Sequence, residues 1–377
     1  MRAGAALTLE PLGEGASDMV YDDLTEAVGQ VVERVSTPWT REDARTLAAL
    51  SAAGLVFVAA LLLATTPPDA LTALDPKAVT RYNVIAGAIG IVAALLVTAT
   101  SAVMTRKHPQ ASGIALAHTV PFLTAASALR LSQSHWDTAG WGWTGLGLLI
   151  GSLAVLALPK RSRISIAAPL VVGTVLAATG LLVRLGQLSQ AGISAILFAL
   201  VIVLLQVAPW IALAHIPVRI LDADTTEQIP AKGITDQIST SFMFVVALRA
   251  GGAIAALFLA VALMTAPETR SVSLPLTLIV LGAVSLVLQT RSIRARVEVL
   301  LGALTGLIVI LVAAVLGAYA DPRTMPWLTL SAIATALVLV ITNVVGPRAR
   351  PHLTRIADTI SVLSLFVLLP LAVYLWS

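Results

Sequence analysis

The chain has 377 residues, of which 58% are hydrophobic and only 12% are charged. Soluble domains average about 25% charged residues, so the composition excludes a soluble protein with an apolar core and a charged surface. The net charge of +4 lies in short loops between apolar runs, which argues against nucleic-acid binding, and the absence of cysteine excludes thiolate chemistry. The composition predicts a multi-pass membrane protein.

Residues 1–45 form a polar, cytosolic linker that carries nine of the 20 acidic residues. Within it, apolar residues recur at helical spacing and predict an amphipathic helix; they are Val20, Leu24, Val28, Val31 and Val35. Such an apolar stripe requires a membrane surface or a protein partner. We interpret it as a docking element for a protein, because acidic residues on the remaining faces are repelled by anionic lipid headgroups.

Residues 46–377 contain eleven apolar runs, each long enough to cross a bilayer as an α-helix. The first six are Thr46–Ala64, Asn83–Met104, Ala111–Leu131, Gly140–Leu158, Ile164–Leu185 and Ile193–Ile216. The other five are Phe242–Met264, Val272–Gln289, Val297–Tyr319, Trp327–Val345 and Thr359–Trp376. The sequence therefore predicts an all-α integral membrane protein with an eleven-helix transmembrane domain.

The distribution of basic residues predicts the orientation of this domain. If the N-terminus is cytoplasmic, the short cytoplasmic loops hold 13 Lys and Arg residues and the opposite loops hold four. Because cytoplasmic loops are enriched in Lys and Arg, this bias indicates a cytoplasmic N-terminus and, with eleven helices, an extracytoplasmic C-terminus.

The longest predicted cytoplasmic loop, residues 217–241, divides the helices into six and five. Its acidic residues are Asp222, Asp224, Glu227 and Asp236. A loop of this length is either a solvated connector or a docking surface, and the sequence leaves both interpretations open.

The chain carries little that points to catalysis. No phosphate-binding loop, dinucleotide fingerprint, zinc-protease motif or nucleophile elbow occurs, and the five histidines lack metal-ligand spacing. No carboxylate is expected in the hydrocarbon interior, where coupled transporters usually keep one. These observations predict a protein that is not an enzyme and that binds no cofactor or metal.

Arg249 is the one ionisable residue well inside a predicted helix. It could form a substrate anion site, or it could snorkel toward the headgroups or contact a carbonyl or a partner subunit. No internal carboxylate is expected to pair with Arg249, and Gly251 and Gly252 beside it permit close packing, so the sequence favours the second interpretation. Arg130 and Arg184, near outer helix ends, are also expected to snorkel.

Two Gly-xxx-Gly pairs predict close helix packing. They are Gly147 with Gly151 and Gly302 with Gly306.

Several stretches together resemble the EccD family, the polytopic subunit of the type VII (ESX) secretion machinery. They are Tyr21–Val28 with Trp39 and Thr40, Val207–Trp210, Arg291 and Ser292 with Arg296, and Leu369–Trp376. The eleven-helix arrangement is also similar to that of the family. The family normally carries a ubiquitin-like domain before the linker, and Leu7–Pro11 resembles only its last strand, so we expect that domain to be missing or truncated.

The resemblance implies a non-enzymatic scaffold in the inner (cytoplasmic) membrane of an actinobacterium. Such subunits form homodimers around a lipid-lined vestibule and assemble with EccB, EccE and the ATPase EccC. The alternative is a stand-alone transporter of a small or lipidic solute, which would use Arg249 as a binding group.

Overall fold

A computed structural model describes residues 41–65, 76–107, 111–133, 138–157, 166–186, 188–214, 231–267, 271–289, 296–326, 329–330, 333 and 350–376. The predicted amphipathic helix around Val28 lies outside these residues, as do Asp222, Asp224 and Glu227 of the predicted loop.

Ten α-helices have defined bounds, and the described residues contain no strand. The first five are α1 (Arg41–Thr65), α2 (Pro76–Lys107), α3 (Ala111–Leu131), α4 (Thr138–Leu156) and α5 (Ala167–Gly186). The others are α6 (Gln190–Ala214), α7 (Ala231–Met264), α8 (Ser273–Gln289), α9 (Arg296–Ala320) and α10 (Arg350–Trp376). A short 3₁₀-helix, Pro322–Thr324, follows α9 and is capped by Asp321, whose carboxylate accepts from the Arg323 N–H at 3.0 Å.

Nine of these helices are long and apolar enough to cross a membrane, as counted over the described parts of the chain. The tenth, α8, is apolar but has 17 residues and corresponds to the eighth predicted helix. The prediction of a multi-pass, all-α membrane protein is confirmed for this part of the chain. The predicted helix Trp327–Val345 lies outside the described residues except at positions 329, 330 and 333, so the count of eleven stays a prediction.

Several helices begin earlier than their apolar runs, and the difference is largest for α7 and α10. Helix α7 starts at Ala231, so the segment from Ala231 to Ser241, predicted as loop, is helical, and Asp236 lies in α7. Helix α10 starts at Arg350, nine residues before the predicted start. Hydropathy reports only the part of a helix that lipid can solvate, whereas polar helical turns remain stable where water solvates their side chains.

The chain divides into two compact units, residues 1–48 and residues 49–377. Of the first unit, only the residues that begin α1 are described. In the second unit, α2, α3, α4 and α5 each pack against the next helix in the chain, and α5 also packs against α7.

Helices α6 to α10 share one core, to which Val175 of α5 also belongs. Helix α7 packs against α6, α9 against α7 and α8, and α10 against α6 and α8. This core is filled by fully buried apolar side chains, among them Phe198, Ile202, Leu259, Leu263 and Ile279.

Helix α4 approaches α3 closely at the first Gly-xxx-Gly pair. A Cβ atom on Gly147 would lie 2.5 Å from the Thr124 carbonyl oxygen and 2.7 Å from the Ala125 Cα atom. Both are backbone atoms of α3 and cannot move aside, so only glycine fits. The predicted close packing therefore occurs between neighbouring helices of the same chain.

Candidate functional site

Arg249 of α7 forms a buried ion pair with Glu298 of α9. Arg249 Nη1 lies 3.1 Å from Glu298 Oε2, and the two side chains are only 6% and 10% exposed. The expectation that no carboxylate is available to Arg249 is therefore wrong: Arg249 makes a polar contact, but with Glu298 rather than with headgroups, a carbonyl or a partner subunit. Arg249 lies about 12 Å along its helix from Ser241, where the apolar span begins, and Glu298 lies in the first turn of α9. The sequence predicts how far along its helix each residue lies, but it does not show that α7 and α9 are neighbours.

The residues after Arg249 fix α7 tightly against two other helices. A Cβ atom on Gly251 would lie 2.6 Å from the Ala168 carbonyl oxygen of α5. A Cβ atom on Gly252 would lie 2.5 Å from Leu205 Cδ2 of α6. The two glycines thus allow α7 to lie at short distances from α5 and α6, while Arg249, two residues before Gly251, reaches α9.

Uncharged polar side chains connect the neighbouring helices α6 and α8. Gln206 Nε2 donates to Ser285 Oγ, and Gln289 Nε2 donates to the Gln206 carbonyl oxygen at 3.1 Å. Sequence reasoning missed these residues. The only signal in the sequence was that these three polar residues interrupt apolar runs. This signal is weak because it does not identify the partner of each residue.

A small cavity of about 20 Å³ is lined in part by Arg249 and Gln289. Its walls come from Leu205, Arg249, Ala253, Leu286, Gln289, Leu301, Gly302 and Thr305. Arg249 Nε and Nη2 are buried and have no hydrogen-bond partner among the residues that the structure describes. The space is too small for an organic solute, so the site is a packed polar contact rather than a substrate pocket.

Arg130 of α3 is also buried, at 8% exposure, and the expectation that it snorkels is wrong. Its Nε donates to the Leu63 carbonyl oxygen at 2.5 Å. Leu63 lies in the last turn of α1, where carbonyl groups lack partners within the helix, so Arg130 caps that helix end. Arg184, by contrast, is exposed at the end of α5.

An apolar groove of about 580 Å³ lies among α2, α3 and α4. The hydroxyl groups in its wall donate to backbone carbonyls: Thr98 to Ala94, Thr124 to Gly147, and Ser132 to Leu129. The groove therefore offers apolar surface and no ionisable group from the described residues that line it.

The other site residues predicted from the sequence are not brought together here. Asp236 lies in α7, whereas the valine stripe and the remaining loop acids fall outside the described residues. Within the described ranges, no group of three or more His, Asp or Glu side chains could hold a metal ion.

The fold defines a multi-pass, all-helical membrane protein whose buried charges in the described spans serve contacts between helices. The model of the EccD-like transmembrane domain family matches residues 44–377. The chain therefore belongs to the EccD family, as its sequence resemblance predicted.

Two solved structures have a similar fold. One, described as protomer 1 of the ESX-3 core complex, is 18% identical with a TM-score of 0.68; the match covers 97% of this chain and 82% of that chain. The other, described as the MycP5-free ESX-5 inner membrane complex in State II, is 16% identical with a TM-score of 0.60, covering 85% and 77%. A search of curated proteins found no match. The family match and the apolar helices support the predicted multi-pass location in the inner membrane.

Proposed function

We propose that this chain is a non-catalytic membrane subunit of a type VII (ESX) secretion complex. It acts as a homodimeric scaffold that holds EccB, EccE and the export ATPase EccC. The observation that carries the proposal is the family match over residues 44–377, and the likeness to an ESX-3 core-complex protomer along 97% of the chain supports it.

The contacts of Arg249 favour a scaffold over a stand-alone transporter. A transporter that used Arg249 to bind an anionic solute would need the guanidinium in an accessible cavity. Instead, Glu298 neutralises Arg249, and the adjoining space is about 20 Å³. The apolar groove among α2, α3 and α4 is larger, but its described walls provide no charge that would bind or couple a polar solute.

The proposed partner contacts lie on the cytoplasmic side. We assign the valine stripe of residues 20–35 to docking on a cytosolic partner, because burying each valine contributes roughly 1.5–3 kcal/mol. The acidic residues Asp222, Asp224, Glu227 and Asp236 form a second proposed docking region. Both assignments require a cytoplasmic N-terminus, which the distribution of basic residues predicts.

Co-purification tests the proposal. The chain, tagged at its C-terminus and expressed in its native cell, is extracted in a mild detergent and its partners are identified by mass spectrometry. We expect EccB-, EccC- and EccE-type subunits in fixed ratios, together with an untagged second copy of this chain. An unrelated multi-pass protein with the same tag serves as control. Recovery of the chain alone, at full yield and under several mild detergents, would contradict the proposal.

A further inference from the structure

The apolar groove of about 580 Å³ results from the way in which three helices meet. Helices α2 and α4 both pack along α3, but they contact each other at few residues, so a cleft remains between them. Val120, Thr124 and Ala128 of α3, each one helical turn from the next, form its floor. In its walls, Leu95 of α2 is 66% exposed and Ile150 of α4 is 63% exposed, so the groove opens onto the lipid-facing surface of the spans.

We propose that this groove is a binding site, within a single chain, for one acyl chain of a membrane phospholipid. On α3 the groove runs from Leu131 to Val120 and on α4 from Trp143 to Ala154, which at 1.5 Å per residue is about 16 Å on each helix. The hydrocarbon core of a bilayer is about 30 Å thick, so one leaflet is about 15 Å deep. The groove therefore has the length of one acyl chain in one leaflet.

The width of the groove favours an acyl chain over a helix of a partner protein. A volume of about 580 Å³ over a length of about 16 Å gives a mean cross-section of about 36 Å². A helix with its side chains is about 10–12 Å across and needs roughly 80–110 Å². A partner helix is therefore too wide, whereas an unbranched hydrocarbon chain fits.

The chemistry of the walls fits the uncharged part of a phospholipid. The described lining residues include no ionisable side chain, and the hydroxyl groups of Thr98 and Thr124 donate to backbone carbonyls. A free fatty acid would bring a carboxylate to a groove whose described walls offer no cation, whereas a phospholipid keeps its charge among the headgroups. Trp143 lines the groove near the end at which α3 finishes and α4 begins, and indole rings favour the headgroup boundary.

A chain in the groove exchanges more slowly than lipid elsewhere around the protein. It contacts three helices at once, whereas a chain against a single exposed helix such as α1 contacts one face. An unfilled groove would lose the dispersion contacts along its walls, so its occupancy is favoured wherever hydrocarbon is available.

Cryo-electron microscopy of the full chain, bound to a rigid antibody fragment in nanodiscs of palmitoyl-oleoyl-phosphatidylglycerol, tests this site directly. We expect an elongated density along the groove, stronger than any lipid density against α1, with its headgroup at the end near Trp143. An empty groove, a protein side chain or helix within it, or a density no stronger than that around α1 would overturn the proposal. This result does not depend on whether the chain acts in secretion.

Two alanine variants provide a matched comparison. Ala154→Phe fills the deep end of the groove from an exposed position of α4, and Ala59→Phe makes the same change at an exposed position of α1, outside the groove. Ile150→Trp narrows the exposed wall and serves as a second groove variant. Each protein is washed extensively in detergent, and the phospholipid retained per chain is measured by mass spectrometry.

We expect both groove variants to lose one phospholipid per chain relative to the wild type, with an unchanged Tm, and Ala59→Phe to lose none. Equal retention in all four proteins would overturn the proposal. Mass spectrometry also identifies the retained molecule, and a free fatty acid in place of a phospholipid would contradict the assignment.

Discussion

Replacing Glu298 by glutamine is expected to destabilise the membrane domain strongly. The substitution keeps the size and shape of the side chain but removes its charge, so Arg249 stays charged in an interior position without a counter-ion. Both side chains are at least nine-tenths buried in the wild-type chain, and water cannot replace the lost carboxylate without opening the contact between α7 and α9.

The magnitude follows from the geometry of the pair. Unit charges 3.1 Å apart attract by about 5 kcal/mol at an effective dielectric constant near 20. In the wild type this attraction offsets the desolvation of two ions. Removing one partner of a buried pair costs about 3–5 kcal/mol, which corresponds to roughly two to four orders of magnitude in the folding equilibrium.

The assay is thermal unfolding of the full chain in a mild detergent, followed by the fraction that remains monodisperse in size-exclusion chromatography. Asp358→Asn is the matched control, because it removes an acidic charge at an exposed position of α10 and should change the stability by no more than about 0.5 kcal/mol. If Glu298→Gln unfolds at the same temperature as this control, the ion pair contributes no stability and the reasoning is refuted.

A double variant separates the pair from its surroundings. Arg249→Met combined with Glu298→Leu removes both charges and keeps apolar volume in the contact. Because an apolar replacement of a buried pair is often neutral or stabilising, we expect the double variant to unfold near the wild-type temperature, well above Glu298→Gln. A double variant as unstable as Glu298→Gln would show that packing at these positions, rather than charge, determines stability.

Three further predictions concern packing, docking and orientation. Gly147→Leu should destabilise the chain by about 1–3 kcal/mol or more, because the leucine side chain would overlap the backbone of α3. Gly54→Leu should leave the stability unchanged, because a Cβ atom on Gly54 would meet open space. Equal melting temperatures for the Gly147 and Gly54 variants would contradict the close contact between α3 and α4. Val28→Asp combined with Val31→Asp should release a cytosolic partner in pull-downs while insertion is unchanged; wild-type partner ratios would rule out docking by this stripe. A reporter fused after Ser377 should lie outside the cytoplasm. A reporter found in the cytoplasm would refute the eleven-helix count.

The sequence predicted the helical spans well, because a bilayer imposes the length and polarity of each crossing segment. The bounds of α3, Ala111–Leu131, are those of the apolar run itself. The starts of α7 and α10 were predicted too late, because their first turns are polar and hydropathy does not register them.

The contacts between helices were the part that the sequence could not supply. Arg249 and Glu298 are 49 positions apart, and their pairing depends on α9 packing against α7. Arg130 was placed near a helix end correctly, but its Nε donates to the backbone carbonyl of Leu63, and backbone carbonyls have no signature in the sequence. Polar residues inside apolar runs mark a buried contact, but the structure is needed to identify the partner.

The central claim, that the chain is a subunit of a protein-secretion complex, is tested most directly by the proteins a cell exports without it. The gene for this chain is deleted, and the culture filtrate is compared by mass spectrometry with that of the wild type and of a strain complemented with the full chain. We predict that small WXG-type proteins disappear from the filtrate of the deletion strain, remain in its cells, and return on complementation. An unchanged set of exported proteins, together with altered uptake or efflux of a small solute, would contradict the account and favour a transporter.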